Sequence, residues 1–450
     1  MSTKETIFFC GIGGAGMSPL ARLMANRGYS VLGSDRSYDL GRASALFELL
    51  KAEGVTLVPQ DGSGVHAAID TFVVTRAVEE SVPDIKRALD LNLRILKRPR
   101  FMAQVFKDSQ NIAVAGTSGK STTTGMIGHI LQLVGKDPTI MNGAVMLNGD
   151  TNFVSGQSGL AVFEADESDG FEDVISVCPA ALAVLTNISL DHFELDQLKA
   201  MFTTFLQKVP LGAVLNADCD NSMELRNVNS QTVTFGTVPQ ADFSLSKISP
   251  QLMIPGEHNK LNALAAIAAC SLLGVSAETS LKALKSFKGI KRRLEVVGET
   301  HGVTVIDDFA SNPGKIEASL KVAIARSKRI FVVFQPHGFQ PTKMMKDEYI
   351  KTFASTLRSD DVLIMPDIFY VGGSANLVNG EVVALPQDIS SADVIEPVRK
   401  AGKEAVYIPK REEIISYLKE RAEQGDVVIV MGSRDESLSV FAREVVQGLR

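Results

Sequence analysis

The chain has no tryptophan, six tyrosines and four cysteines among 450 residues. Cys10, Cys178, Cys219 and Cys270 are scattered without CxxC spacing, which argues against a zinc site or a disulfide framework. They are expected to be small buried apolar residues. Also missing is any uninterrupted apolar run of about 18 residues, the length a membrane-spanning helix needs. The apolar stretch at 7–10 runs directly into glycines, without the basic start and cleavage site of a signal peptide, so the expected location is the cytoplasm. There is no excess of positive charge either: 46 Lys and Arg stand against 52 Asp and Glu, a formal net charge of -6. Such a surface is not built to neutralise nucleic-acid phosphates, so neither nucleic acid nor a membrane is an expected partner.

What is present is an α/β rhythm. A composition 45% hydrophobic and 22% charged, with 36 glycines, suits a soluble chain that buries several cores. Short β-branched or aromatic runs alternate with longer helical patterns in three blocks, which predicts parallel sheets covered by helices. In the first block residues 6–10 read as a buried strand, 11–16 as a tight turn, 17–27 as a helix and 29–32 as a second strand ending at Ser34 and Asp35. The second block has a strand at 111–115, a glycine turn and a helix to about residue 134. It continues with strands at 160–163 and 181–185 and an alanine-rich helix over 259–273. The third holds strands at 303–306, 330–334, 362–365 and 427–431. No repeat, low-complexity tract or long linker interrupts this order. The expected domains are 1–108, 109–293 and 294–450, with boundaries good to several residues.

The most informative segment is Gly116-Thr117-Ser118-Gly119-Lys120-Ser121-Thr122 between a strand and a helix. Glycines let the backbone curl so that successive N–H groups face one phosphate cluster, and the helix N-terminus adds partial positive charge. Lys120 would reach the β- and γ-phosphates of ATP, and the Ser121 hydroxyl would ligate Mg²⁺. Val114 stands where the longer Walker A pattern has its first glycine, so the match is to the shorter G-T-x-G-K-[ST]-T form. A plain turn with an exposed lysine is the bland alternative.

Two further constellations follow strands of the same block: Glu164-Ala165-Asp166-Glu167-Ser168-Asp169, and Thr186-Asn187-Ile188-Ser189-Leu190-Asp191-His192. If those strands neighbour the phosphate-turn strand, their ends supply carboxylates where a metal-bound triphosphate needs them. Solvated loops are the alternative. The N-terminal Gly11-Ile12-Gly13-Gly14-Ala15-Gly16 satisfies G-x-G-x-x-G, with Asp35 where a ribose-binding carboxylate would sit. This cradle suits a UDP diphosphate as well as NAD, and an NAD(P)-dependent oxidoreductase is therefore a second reading. Close packing alone is a third use of the glycines.

In this order the motifs resemble the Mur ligase family along essentially the whole chain. The matching segments are GIGGAGMSPLA at Gly11, GTSGKSTTT at Gly116, EADESDG at Glu164, TNISLDH at Thr186, GEHNKLNALAA at Gly256, FKGIKRRLE at Phe287, DDFASNP at Asp307 and QPH at Gln335. The resemblance is strongest to the branch that joins L-alanine to UDP-N-acetylmuramate through an acyl phosphate. It implies an N-terminal Rossmann-like UDP-sugar domain, a central P-loop ATPase domain with a parallel sheet, and a C-terminal Rossmann-like domain that closes over ATP. By position it implies that Gly11, Gly13, Gly14, Ala15 and Gly16 meet the UDP diphosphate and Asp35 the uridine end. Gly116 to Thr122, Asn259 and Asn262 would then hold ATP, with Ser121, Glu164 and His192 around Mg²⁺. Catalytic roles would fall to Lys120, Glu164, His192, Arg293 and Asp308, the last two also belonging to the ATP site. Peptidoglycan synthesis would be the setting, and both a monomer and a homodimer remain open.

Where that branch carries paired histidines before the proline, this chain has Ser311 and Asn312, and where it carries arginines after QPH this chain has Gly338 and Pro341. An arginine there would grip the carboxylate of the incoming amino acid in a bidentate fashion. Ser311, Asn312, His337 and Lys343 are the candidate acceptor residues, with Lys343 a less directional substitute. Around residues 199–202 no carbamylated lysine can be assigned. A paralogue that adds another amino acid or a recycled peptide, and a silent sugar-nucleotide-binding scaffold, are the remaining alternatives.

Overall fold

The computed structural model describes residues 5–42, 44–75, 81–165, 180–189, 194–369, 376–378, 381–383, 388–435 and 437–450. The chain divides into two compact units, Met1–Ile290 and Lys291–Arg450.

The first unit holds two sheets. Strands β1 (Thr6–Cys10), β2 (Ser30–Ser34), β3 (Thr56–Leu57), β4 (Thr71–Val74) and β5 (Ile95–Lys97) form a parallel sheet in the order β3-β2-β1-β4-β5. β1 is central, and its alternate residues enter different cores: Ile7 and Phe9 on one face, Phe8 and Cys10 on the other, where Phe8 stacks on Phe72 with ring centroids 5.0 Å apart. That is why a strand buried on both faces reads as a continuous apolar run.

The second sheet comprises β6 (Gln110–Ala115), β7 (Thr139–Met146), β8 (Thr151–Val154), β9 (Leu160–Glu164), β10 (Leu182–Leu185), β11 (Ala213–Asn216), β12 (Thr232–Gly236) and β13 (Phe243–Ser244). Its order is β13-β12-β11-β10-β6-β9-β7-β8, parallel except for the β7–β8 hairpin. β6 therefore lies between β10 and β9. On one face, Ile112 and Val114 pack with the helices Lys120–Leu133 and Glu257–Leu272. On the other, Ala113 and Ala115 share a core with Ile7 and Phe9 of the first sheet and Leu20 of the Met17–Asn26 helix. Arg22 fastens the two layers, reaching Glu53 on one side and the Thr151 hydroxyl, at 3.1 Å, on the other.

The second unit has one main sheet: β14 (Glu295–Thr300), β15 (Val303–Asp308), β16 (Ile330–Phe334), β17 (Val362–Met365), β20 (Glu404–Tyr407) and β21 (Val427–Met431). Its order is β14-β15-β21-β16-β17-β20, with only the β14–β15 pair antiparallel. A small hairpin, β18 (Asn376–Val378) with β19 (Glu381–Val383), lies outside it. Helices cover both faces, as the two separate buried clusters flanking the sheet require.

The α/β class expected from the sequence is the class observed. Cys10 and Cys270 are buried, Cys219 is half-buried, and Cys178 lies outside the described residues. Burial pushes the Cys10 and Cys270 thiols up to about 12, so neither is a ready thiolate. No helix among the described residues is long and apolar enough to cross a membrane.

Candidate active site

The phosphate turn is held by the residues that follow β10 and by one neighbouring helix. β6 stops at Ala115, and Gly116 (φ 114°) and Gly119 (φ 85°) take backbone conformations that side chains disfavour. A Cβ at Gly116 would lie 2.4 Å from the Thr186 Oγ1 and 2.7 Å from the Asn187 carbonyl oxygen, and one at Gly119 would lie 2.5 Å from Asn262 Oδ1. Beyond β10, the Thr186 hydroxyl donates to the Ser118 carbonyl at 2.6 Å, and Asn187 accepts from Ser118 N–H and donates to Ser118 O. Thr117 N–H donates to Asn187 O, while its hydroxyl donates to Ser189 O at 3.0 Å. The helix then starts at Lys120, so the N–H groups of Lys120, Ser121 and Thr122 have no intrahelical acceptor and point a partial positive charge into the turn. Lys120 Nζ donates to Gly116 O at 2.8 Å, folded over the cradle it would share with a phosphate.

Glu164 ends β9 in register with Val114, so its carboxylate sits beside the same turn. Its Oε1 accepts from Gly143 N–H at 2.6 Å, and a Cβ at Gly143 would lie 2.9 Å from that oxygen. Asn142 reaches back to the helix, donating to Ser121 O at 2.9 Å. Asn259 is buried and donates to Pro255 O, and its Oδ1 accepts from Asn262 Nδ2 at 3.3 Å. The structure thus brings Gly116, Thr117, Ser118, Gly119, Lys120, Ser121, Thr122, Glu164 and Asn262 to one strand edge. His192, Asp191 and residues 166–169 lie outside the described residues. Backbone donors, a lysine, a hydroxyl and a carboxylate around a close-packed glycine cradle are a donor set that fits a triphosphate with a divalent cation.

The N-terminal glycine turn is organised differently from a simple open cradle. Gly11 N–H and Ile12 N–H both donate to Ser34 O, at 2.9 and 3.0 Å, which seats the turn over the end of β2. Asp35 accepts from Gly13 N–H through Oδ2 and from Ser37 N–H through Oδ1, both at 2.8 Å. Both of its oxygens therefore serve the local backbone, and it caps the short Arg36–Asp39 helix. Gly14 and Ala15 are exposed at the tip of the turn. A Cβ at Gly16 would lie 2.8 Å from Arg98 Nη1, so a guanidinium rests directly on the turn. Sequence reasoning passed over Arg98. Its only local signal is the Lys97-Arg98-Pro99-Arg100 run at the end of β5, a strand that was not recognised.

In the second unit the parallel strands deliver Asp308, Gln335, Met365 and Gly432 to one edge. Asp308 is fully enclosed. It accepts from Leu294 N–H at 3.2 Å and from the Ser319 hydroxyl, and burial, the leading cause, raises its carboxyl above the ordinary range. Its neighbour Asp307 accepts from Ser439 Oγ at 2.5 Å and pairs with Arg292 at 3.4 Å. Of the paired arginines, Arg292 (φ 57°) turns inward and donates to Gly432 O and Asp435 O, whereas the Arg293 guanidinium lies 4.8 Å from the Phe309 ring centroid.

The acceptor candidates have distinct surroundings. Asn312 caps the Pro313–Ile324 helix by accepting from Lys315 N–H, and Ser311 O accepts from Tyr349 Oη at 2.7 Å. Lys343 pairs with Asp388 on the surface. His337 sits at the strand edge with Nδ1 3.2 Å from Ser433 Oγ, and burial first, then Arg434, lowers its imidazole below the ordinary value. Gln335 accepts from Arg411, which also pairs with Asp435.

Three family descriptions match in the same order: "Mur ligase family, catalytic domain" over residues 6–110, "Mur ligase middle domain" over 114–270 and "Mur ligase, glutamate ligase domain" over 292–434. A UDP-N-acetylmuramate–L-alanine ligase of Geotalea daltonii is 34% identical, covering 95% of each chain, and that of Caldicellulosiruptor bescii is 32% identical over 98% of each. Among solved structures, a UDP-N-acetylmuramate–alanine ligase of Thermotoga maritima matches 98% of both chains with a TM-score of 0.77 and 25% identity. A murein peptide ligase of Psychrobacter arcticus, at 22% identity and a TM-score of 0.66, shares the fold. A phosphate turn on the strand between β9 and β10, braced from the β10 side, within a sequence that follows such a relative over 95% of its length, places the chain in the Mur ligase family.

Proposed function

We propose that this chain is an ATP-dependent ligase that joins L-alanine to the carboxylate of UDP-N-acetylmuramate in peptidoglycan synthesis in the cytoplasm. The observation that carries this proposal is the phosphate turn held between β9 and β10, in a chain 34% identical over 95% of its length to a relative of that name. The proposed division of labour is UDP-sugar binding by 1–108, ATP binding by 109–293 and acceptor binding by 294–450.

A carboxylate is a poor electrophile, because its charge repels nucleophiles and its leaving group would be oxide. Attack by the sugar carboxylate oxygen on the γ-phosphorus of ATP breaks the bridging P–O bond, releases ADP and leaves an acyl phosphate. The neutral amine of the acceptor then attacks the acyl carbon, the C–O bond to phosphate breaks, and the amine gives up a proton. Lys120 would leave Gly116 O for the transferring phosphate, and the helix-start N–H groups would stabilise charge there. Ser121, Glu164 and His192 would hold Mg²⁺, which supplies charge neutralisation when bound. Gly13, Gly14, Ala15 and Gly16, with the adjacent Arg98, would face the UDP diphosphate. Asp35 would shape that turn through its bonds to Gly13 and Ser37 N–H, with lone pairs remaining on both oxygens for the uridine end. Arg293 and Asp308 would serve the ATP site, Asp308 through the backbone it holds.

The test is phosphate release from ATP and UDP-N-acetylmuramate with each amino acid and with a muropeptide tripeptide in turn, with product masses recorded. Release with alanine supports the proposal. Release only with another acceptor assigns the chain to a paralogous activity, and release with none refutes the sugar substrate.

A further inference from the structure

The turn after β21 is wedged into the edge of its sheet. Gly432 N–H donates to Asp308 O at 3.2 Å, and a Cβ at Gly432 would lie 2.8 Å from Gln335 O, so the turn passes tightly between the ends of β15 and β16. The next residue, Ser433, is buried with its hydroxyl 3.2 Å from His337 Nδ1. Arg434 follows with φ 66°, a left-handed conformation uncommon for a side chain of its size and characteristic of functional turns.

The polar groups around it are matched to one another. Asp435 accepts from Ser437 N–H and Ser437 Oγ and pairs with Arg411, and Arg411 also holds Gln335. Lys343 is paired with Asp388, and Arg292 is buried against Asp307 and two carbonyls. Arg434 is exposed and makes no hydrogen bond or ion pair with the described residues. Its charge stands beside His337 at the carboxyl ends of adjacent parallel strands, the edge where open α/β sheets bind ligands. Gly338 and Pro341, by contrast, carry no donor side chains.

On the ligase reading given above, we propose that Arg434, with Ser433 and His337, recognises the carboxylate of the amino-acid acceptor. A planar guanidinium matches a carboxylate with two parallel hydrogen bonds. The acceptor class is therefore an amine that carries a free carboxylate near the nucleophilic nitrogen. The same chain can thus dispense with arginines at positions 338 and 341.

The full-length enzyme, saturated with ATP and UDP-N-acetylmuramate, tests this through initial rates of phosphate release with L-alanine and with L-alaninamide, which lacks the carboxylate. Arg434→Gln is expected to raise KM for alanine about 10- to 100-fold with little change in kcat, as loss of a charge-assisted pair implies. Arg434→Lys should recover part of that loss, and alaninamide kcat/KM should be the same for wild type and Arg434→Gln. An unchanged alanine KM, or equal losses with alanine and alaninamide, would overturn the assignment. A wild-type enzyme active with alanine but indifferent to Arg434→Gln sinks this inference alone. A wild type silent with every amino acid sinks the ligase reading, and this inference with it.

Discussion

The Thr186 hydroxyl donates to the Ser118 carbonyl at 2.6 Å, tying the end of β10 to the middle of the phosphate turn. The same hydroxyl lies 3.1 Å from Ala115 O, so one buried group braces both the strand that feeds the turn and the turn itself. Thr186→Val keeps the shape and removes the donor. Ser118 O keeps the Asn187 amide and Ala115 O keeps Thr186 N–H, so loss of the hydroxyl is expected to cost about 0.5–1.5 kcal/mol, measured by denaturant unfolding of the full chain. The KM for ATP should rise about tenfold, which corresponds to about 1.4 kcal/mol of lost turn geometry.

Gly116→Ala tests the same contact from the other side. The new methyl would meet Thr186 Oγ1 and Asn187 O at impossible distances, on a backbone with φ 114°. The turn must open, so ATP-dependent phosphate release should fall below detection while far-UV circular dichroism still reports the α/β fold.

Lys120→Ala separates binding from architecture. Lys120 is half-buried and donates to Gly116 O, and Lys120→Ala should keep the far-UV circular dichroism of the α/β fold. Turnover should drop about 10²–10³-fold, the usual weight of one donor aimed at developing charge. Equal activity in this variant would favour a scaffolding role.

The two adjacent arginines are expected to behave oppositely. Arg292 is buried with Asp307, Gly432 O and Asp435 O as partners, so Arg292→Ala leaves the buried Asp307 carboxylate without this charge partner, holding only the Ser439 hydroxyl, and should cost about 3–5 kcal/mol in the second unit. Arg293 stacks on Phe309 in a half-buried position, and Arg293→Ala should cost about 1 kcal/mol or less in stability while impairing turnover.

His337 provides a pH test. Its imidazole is held below the ordinary 6.5, chiefly by burial and secondarily by Arg434, so the neutral form is favoured in the folded unit. A histidine depressed in this way contributes stability that is full above the unfolded value and is lost as pH falls through the folded value. The second unit should therefore weaken below about pH 6.5, and His337→Gln should flatten that part of the profile. In NMR titrations Arg434→Gln should move the His337 midpoint upward, though not fully to the unperturbed value.

Much of this architecture is legible in the sequence because its strands are buried on both faces. β1, β16, β17 and β21 occur at the predicted residues, and their near-continuous apolar runs are what a covered parallel sheet demands. The β7–β8 hairpin was not, because Gly143 interrupts β7 and the backbone there serves Glu164 rather than a core. β14 was missed for a related reason, being a half-exposed antiparallel edge rich in Glu, Gly and Thr. The phosphate turn was legible because its chemistry is local. Residues whose surroundings depend on distant register were not: Arg98 over Gly16, Lys343 turned to Asp388, and Arg434 beside His337. Nor could the sequence decide which of Arg292 and Arg293 turns inward. The positive φ angles at Arg292 and Leu294 do that.

The central claim is that a sugar carboxylate is activated by the γ-phosphate of ATP, and oxygen tracing tests it directly. With UDP-N-acetylmuramate labelled with ¹⁸O in its carboxylate, L-alanine and unlabelled ATP, one labelled oxygen is expected in the inorganic phosphate formed per amide bond, with ADP as the other product. Label found in AMP, or phosphate free of label while the amide forms, would contradict activation through an acyl phosphate.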